Sequence, residues 1–166
     1  MNSKVASESK TVLTDLVLPP DTNFHGTMFG GNVMANADKV ASIAAMRHAR
    51  ATVVTASSDS MDFIAPIHTG EAICIEAYVT YARRTSMEVY VKVEAENLIT
   101  GEKRLTATAY MTFVALDNMG KPTAVPKLIP ETEEEKWQYE GAEQRFSIRK
   151  RRTDERKKRQ AQKEKQ

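Results

Sequence analysis

The chain has 166 residues, 41% hydrophobic and 28% charged, with a formal net charge of +2. That length fits one domain with a remainder, and the single cysteine, Cys74, excludes a disulfide framework or a thiol-rich metal site. No apolar run approaches the roughly 18 residues that span a bilayer and no signal-peptide pattern opens the chain, so a reducing, cytoplasmic setting is the expectation.

Residues 1–10 are polar and read as an extension. Thr11–Leu18 is apolar and strand-like, and Pro19-Pro20 stops it. The loop Asp21–Gly31 is polar, holds three glycines and ends in a Gly-Gly pair. Over Asn32–Arg50, Val33, Ala37, Val40, Ala41, Ala44 and Ala45 recur at three and four residues, which predicts a helix with one apolar, mostly alanine face. Four strands are predicted next: Thr52–Ile67, Glu71–Arg84, Ser86–Leu98 and Lys103–Asp117. The last three alternate cleanly, and Thr100-Gly101-Glu102 is a hairpin-type turn. One helix and about five antiparallel strands with one covered face make an α+β sandwich, a curved sheet wrapped around a long helix. The domain is expected over residues 11–130.

Charge is unevenly placed. Residues 1–130 are near neutral, whereas 145–166 hold 11 basic and 3 acidic residues. Residues 131–166 therefore read as a charged extension, partly helical or disordered, unable to build a core. A basic run of this kind gives salt-dependent affinity for nucleic acid, but Phe146 is its one stacking aromatic, so nucleic acid is not the expected partner.

The usual nucleophile and metal patterns are missing. No G-x-S-x-G elbow occurs, His25, His48 and His68 lack ligand spacing, and Gly26, Gly30 and Gly31 precede no Gly-Lys-Ser/Thr. Asp38 is the unusual carboxylate. It sits inside the predicted helix among Ala35, Ala37, Ala41 and Ala45, where burial costs several kcal/mol unless it is paired or functional. It either faces solvent or is a working group. Gly30 and Gly31 lie where a helix N-terminus offers free N–H groups to a developing oxyanion. Asn23 supplies an amide that orients water or polarises a carbonyl, or else is an ordinary turn residue. An amide, a nest of N–H groups and an inward carboxylate together suit acyl transfer.

Pro20–Asp38 (PDTNFHGTMFGGNVMANAD) resembles the hotdog-fold acyl-CoA thioesterases of the YciA and brain cytosolic acyl-CoA hydrolase types. Val53–Ile67 (VVTASSDSMDFIAPI) and Thr112–Pro122 (TFVALDNMGKP) are similar to the same family, and the likeness covers roughly residues 10–130. The resemblance implies a catalytic pair of Asn23 and Asp38, with Asp38 as general base or nucleophile and Asn23 acting from the facing subunit. It implies an oxyanion site at the Gly30 or Gly31 amide, and no cofactor, coenzyme A being part of the substrate. Burial would raise the Asp38 pKa and the helix dipole would lower it, leaving the net sign open. Coenzyme A would cross the subunit interface, its phosphates meeting Arg83, Arg84, Thr85 and Ser86 unless that turn is simply solvated. His25, Asp59 and Ser60 are candidates for lining the cleft, Asp59 and Ser60 being otherwise polar sheet-edge residues.

Some family members fuse two hotdog units. One unit here implies a homo-oligomer, a dimer assembled as a trimer of dimers, in keeping with an open sheet edge. Two other readings stand against the enzyme. A non-catalytic acyl-CoA sensor would need a DNA-binding module, and no helix-turn-helix pattern appears. A hotdog dehydratase would need a catalytic histidine, and only His25 lies in the loop.

Overall fold

The computed structural model describes residues 2–163. Alternation builds the sheet. Strands β2 (Thr11–Leu16), β3 (Thr52–Phe63), β4 (Ala72–Ala82), β5 (Ser86–Glu96) and β6 (Lys103–Leu116) form one antiparallel sheet in the order β2-β4-β5-β6-β3. Val89, Val91 and Val93 of β5, with Ile75, Ala77 and Val79 of β4, are fully buried on its inner face. Helix α1 (Gly30–Ala49) lies there, burying Val33, Ala37, Val40, Ala41, Ala44 and Ala45. The alanine stripe lets the helix axis approach the strands closely, since methyl groups are all that separate the two backbones. The helix closes at Arg50, in the left-handed conformation, whose N–H donates to the Met46 carbonyl at 2.8 Å.

The sheet's outer face is covered as well, contrary to the single covered face expected. Tyr78, Tyr90 and Tyr110 sit opposite one another on β4, β5 and β6. Helix α2 (Glu133–Lys163) crosses above this row with Gln138 and Ala142 buried. The Tyr110 hydroxyl donates to Gln138 Oε1 at 2.6 Å, and the Arg145 guanidinium stands 4.2 Å over the Tyr110 ring. Arg145 also pairs with Glu88, whose side chain is 4% exposed, at 2.8 Å. The charge-dense segment, through Lys163, is thus one helix, seated on the sheet by polar contacts as far as Arg152.

Residues 3–10 belong to the fold too. Strand β1 (Ser3–Val5) pairs in parallel with β7 (Lys127–Ile129), Ala6 and Ser9 are buried, and Ser9 Oγ accepts the Val79 N–H at 2.9 Å. No helix among the described residues is long and apolar enough to cross a membrane.

The Arg145–Glu88 pair gives a stability prediction. Arg145→Ala strands a buried carboxylate and should lower the unfolding free energy by about 3 kcal/mol. Arg151→Ala, at an exposed position of the same helix, should change it by less than about 0.5 kcal/mol. Urea titrations of both variants compare the two, and equal effects would mean that the pair does not anchor α2.

Candidate functional site

The polar loop before α1 is shaped by its own asparagine. Asn23 Oδ1 accepts the His25 N–H at 2.9 Å, its Nδ2 donates to Thr27 Oγ1 at 3.0 Å, and Asn23 N donates to the Thr27 carbonyl at 2.8 Å. These bonds make a tight Asx-type turn, with Gly26 at a φ of +74° where a side chain would be strained. The loop ends at Phe29, whose N–H is fixed to the Asp21 carbonyl at 2.9 Å. Phe29 caps α1 with no side-chain bond, so the first-turn amides are left over.

The helix begins at Gly30, two residues earlier than the periodicity predicts. Gly30 and Gly31 therefore form its first turn, and among the described residues neither N–H finds an acceptor. Gly30 lies beside the Phe63 ring, which a Cβ there would meet at 3.5 Å, an ordinary contact. An apolar cleft of about 330 Å³ opens here, lined by Met28, Gly30, Val33, Phe63, Ile64 and Ile67. Free amides at the mouth of an apolar slot suit an oxyanion with a hydrocarbon tail behind it.

Asp38 lies farther along α1 and is half-buried. The Thr55 hydroxyl of β3 donates to Asp38 Oδ1 at 2.9 Å, which ties the carboxylate to the sheet and leaves Oδ2 uncommitted. No hydrogen bond joins Asn23 to Asp38 among the described residues of this single chain. His25 is exposed, its ring 3.9 Å from that of Phe24.

Other expected site residues lie elsewhere. Bulges in β3, between Thr55 and Ser57 and between Ser58 and Ser60, reset its alternation. Thr55 opposes Phe113 and faces α1, while Ser57 opposes Thr112 and faces α2. Asp59 follows the bulge outward, so it does not line the cleft beside Asp38. Arg149 Nη1 holds it at 2.7 Å and Arg152 Nη2 at 3.2 Å. Ser60 shares that outer position beneath α2. Arg83, Arg84, Thr85 and Ser86 form the β4–β5 turn, and the Arg83 guanidinium packs 3.7 Å over the Phe146 ring of α2. Within one chain, that turn is not brought to Asp38.

The thioesterase superfamily model matches residues 25–102. An uncharacterized acyl-CoA thioester hydrolase of Bacillus subtilis is 51% identical over 150 residues, spanning 90% of this chain and 87% of that protein. The chain belongs to the hotdog-fold acyl-CoA thioesterases. A solved relative of this thioesterase, an acyl-CoA hydrolase from Staphylococcus aureus with butyryl coenzyme A and coenzyme A, is 49% identical with a TM-score of 0.90, over 94% of this chain and 95% of that one. A hexameric acyl-CoA thioesterase is 50% identical at a TM-score of 0.90, over 92% and 98%. Structures of the staphylococcal enzyme also include alanine variants at one Asp, one Asn and one Thr.

Thr55 is the site residue that sequence reasoning about this thioesterase passes over. A threonine in a strand is ordinary, and nothing local ties it to a carboxylate 17 residues away. The one available signal was its place within Val53–Ile67, a stretch that carries part of the family likeness.

Proposed function

We propose that this chain hydrolyses fatty acyl-CoA thioesters to a free fatty acid and coenzyme A, with no metal or other cofactor. Asp38 takes a proton from water as the water oxygen attacks the thioester carbonyl, or attacks that carbon itself to form an acyl-Asp38 anhydride that water then hydrolyses to the free acid. The amide of Gly30 or Gly31 receives the oxyanion. Collapse of the tetrahedral intermediate expels the coenzyme A thiolate, which is then protonated. The partner subunit's Asn23 positions the water or the carbonyl, and the Arg83–Ser86 turn meets the coenzyme A phosphates across the interface. The assembly is a dimer built into a trimer of dimers, in line with hexameric relatives.

The observation carrying this reading is the half-buried Asp38, fixed by Thr55 on the same helix whose first-turn amides are free. Independent support comes from the three residues substituted in the staphylococcal enzyme. They are an Asn, an Asp and a Thr, in chain order at the same separations as Asn23, Asp38 and Thr55.

Free-thiol release from a panel of acyl-CoAs of different chain lengths tests the function. The wild-type protein should hydrolyse at least one, and Thr55→Ala, which frees the Asp38 carboxylate, should slow kcat about tenfold, the worth of one aligned hydrogen bond. Acyl-CoA binding without hydrolysis would replace the enzyme by a sensor on the same fold.

A further inference from the structure

The connection between β3 and β4, residues 64–71, has no strand or helix of its own apart from one bridge, His68 to Thr27. Residues 64–67 nevertheless line the apolar cleft beside α1, together with Met28, Gly30 and Val33. An irregular wall is only as firm as the bonds that tie it to its neighbours. Its near end rests on β6, where the Ile64 N–H donates to the Thr106 carbonyl at 2.8 Å. Its far end is held by one ion pair. Arg104 of β6 forks onto Glu71, Nη1 to Oε1 at 2.6 Å and Nη2 to Oε2 at 2.7 Å. Arg104 Nη2 also donates to the Pro66 carbonyl at 2.7 Å, and Glu71 Oε2 accepts the His68 N–H at 2.7 Å. Two side chains thus tie down both flanks of Ile67, which is buried. The Ile67 carbonyl in turn accepts the Met28 N–H at 2.7 Å, so the end of the Asn23 loop hangs from the same point.

An exposed ion pair contributes little. This one is two-pronged, and the Glu71 side chain is only 12% exposed. A planar guanidinium serves a carboxylate and a carbonyl at once, which an ammonium on a flexible stem does not. The hydrogen bonds from Arg104 hold the Glu71 carboxyl below its usual range, so the pair stays charged at neutral pH. Neither side chain lines the cleft; both act through Pro66 and Ile67. We propose that Arg104 and Glu71 are positioning residues that set the acyl-chain selectivity of this cleft by fixing the Pro66–Ile67 wall. The proposal rests on the thioesterase reading above. Its basis is that added methylenes are told apart only by a wall that does not yield to them.

The test measures kcat and KM for straight-chain acyl-CoAs from acetyl to palmitoyl, with the wild type, Arg104→Ala and Arg145→Ala, each checked for folding. In the wild type, kcat/KM should differ by more than about tenfold between the best and the poorest chain, and Arg104→Ala should shrink that ratio at least about fivefold. The loss should fall on KM of the preferred chain, with kcat within about threefold of wild type. Arg145→Ala breaks a buried pair on the other face of the sheet, so it should cost stability and leave the ratio alone. A smaller change in Arg104→Ala, or a loss of kcat at every chain length, overturns the proposal. An equal shrinkage in Arg145→Ala also overturns it, because general loosening then explains the effect. If Arg104→Ala fails to fold, Arg104→Lys meets the same threshold: it keeps a charge beside Glu71 but lacks the fork that also reaches Pro66. A wild type that hydrolyses every chain length alike refutes the clamp alone. A wild type that hydrolyses none refutes the thioesterase reading, and the clamp with it.

Discussion

Asp38→Ala should reduce kcat for thioester hydrolysis by about 100- to 10,000-fold, the range that a positioned proton-transfer group contributes. KM should change little, because the carboxylate is needed in the transition state more than for binding. The effect should be near the upper end if Asp38 is the nucleophile, since no other carboxylate lies beside it on α1 to take over. Asp38→Asn keeps the side-chain shape and can still meet the Thr55 hydroxyl, so it separates charge from packing. Both variants should stay folded by circular dichroism, as Asp38 is only half-buried. Retained hydrolysis in folded Asp38→Ala would move the chemistry to another group, and His25→Ala would then be the variant to measure.

The parts of this molecule that follow a regular period were readable in the sequence. The alternation in β4, β5 and β6 and the alanine stripe of α1 set their own faces, because each buries methyl and branched side chains at a fixed spacing. The parts that were not readable are held by another chemistry. Helix α2 sits on the sheet through Gln138, Ala142, Arg145, Arg149 and Arg152, a three- and four-residue repeat made largely of arginines. A search for apolar periodicity misses such a stripe, and its carboxylate partners lie 57 and 90 residues away. Asp59 lies on the outer face because a bulge changes the parity of β3, and a bulge has no signature in alternation alone. The eight residues Ser3–Lys10 are too few to show a period, yet they bury Ala6 and Ser9. Asn23, Asp38 and the Gly-Gly pair were singled out as the candidate site through the family likeness more than through their spacing.

Mixing two inactive chains should restore activity. In one chain, the Asn23 side chain is occupied by its own loop and makes no bond to Asp38. The same chain leaves large apolar side chains exposed: Met34, Ile43 and Met46 of α1 and Val54 and Phe63 on edge strand β3 are each 43–55% exposed. An edge strand of 12 residues invites a second copy, and a twofold axis there creates two equivalent sites. If each site takes its aspartate from one subunit and its asparagine from the other, Asn23→Ala and Asp38→Ala chains complement each other. Random association of equal amounts makes half of the dimers mixed, and each mixed dimer has one site with both residues intact. Co-refolding should therefore recover about one quarter of wild-type activity, and a mixed dimer isolated through two different tags about one half. Recovery far below these values, with mixed dimers present, would mean that each site is completed within one chain and that Asn23 reaches Asp38 by a loop movement. The quarter is a sharp number because it depends only on counting sites. It holds whether Asp38 acts as base or as nucleophile.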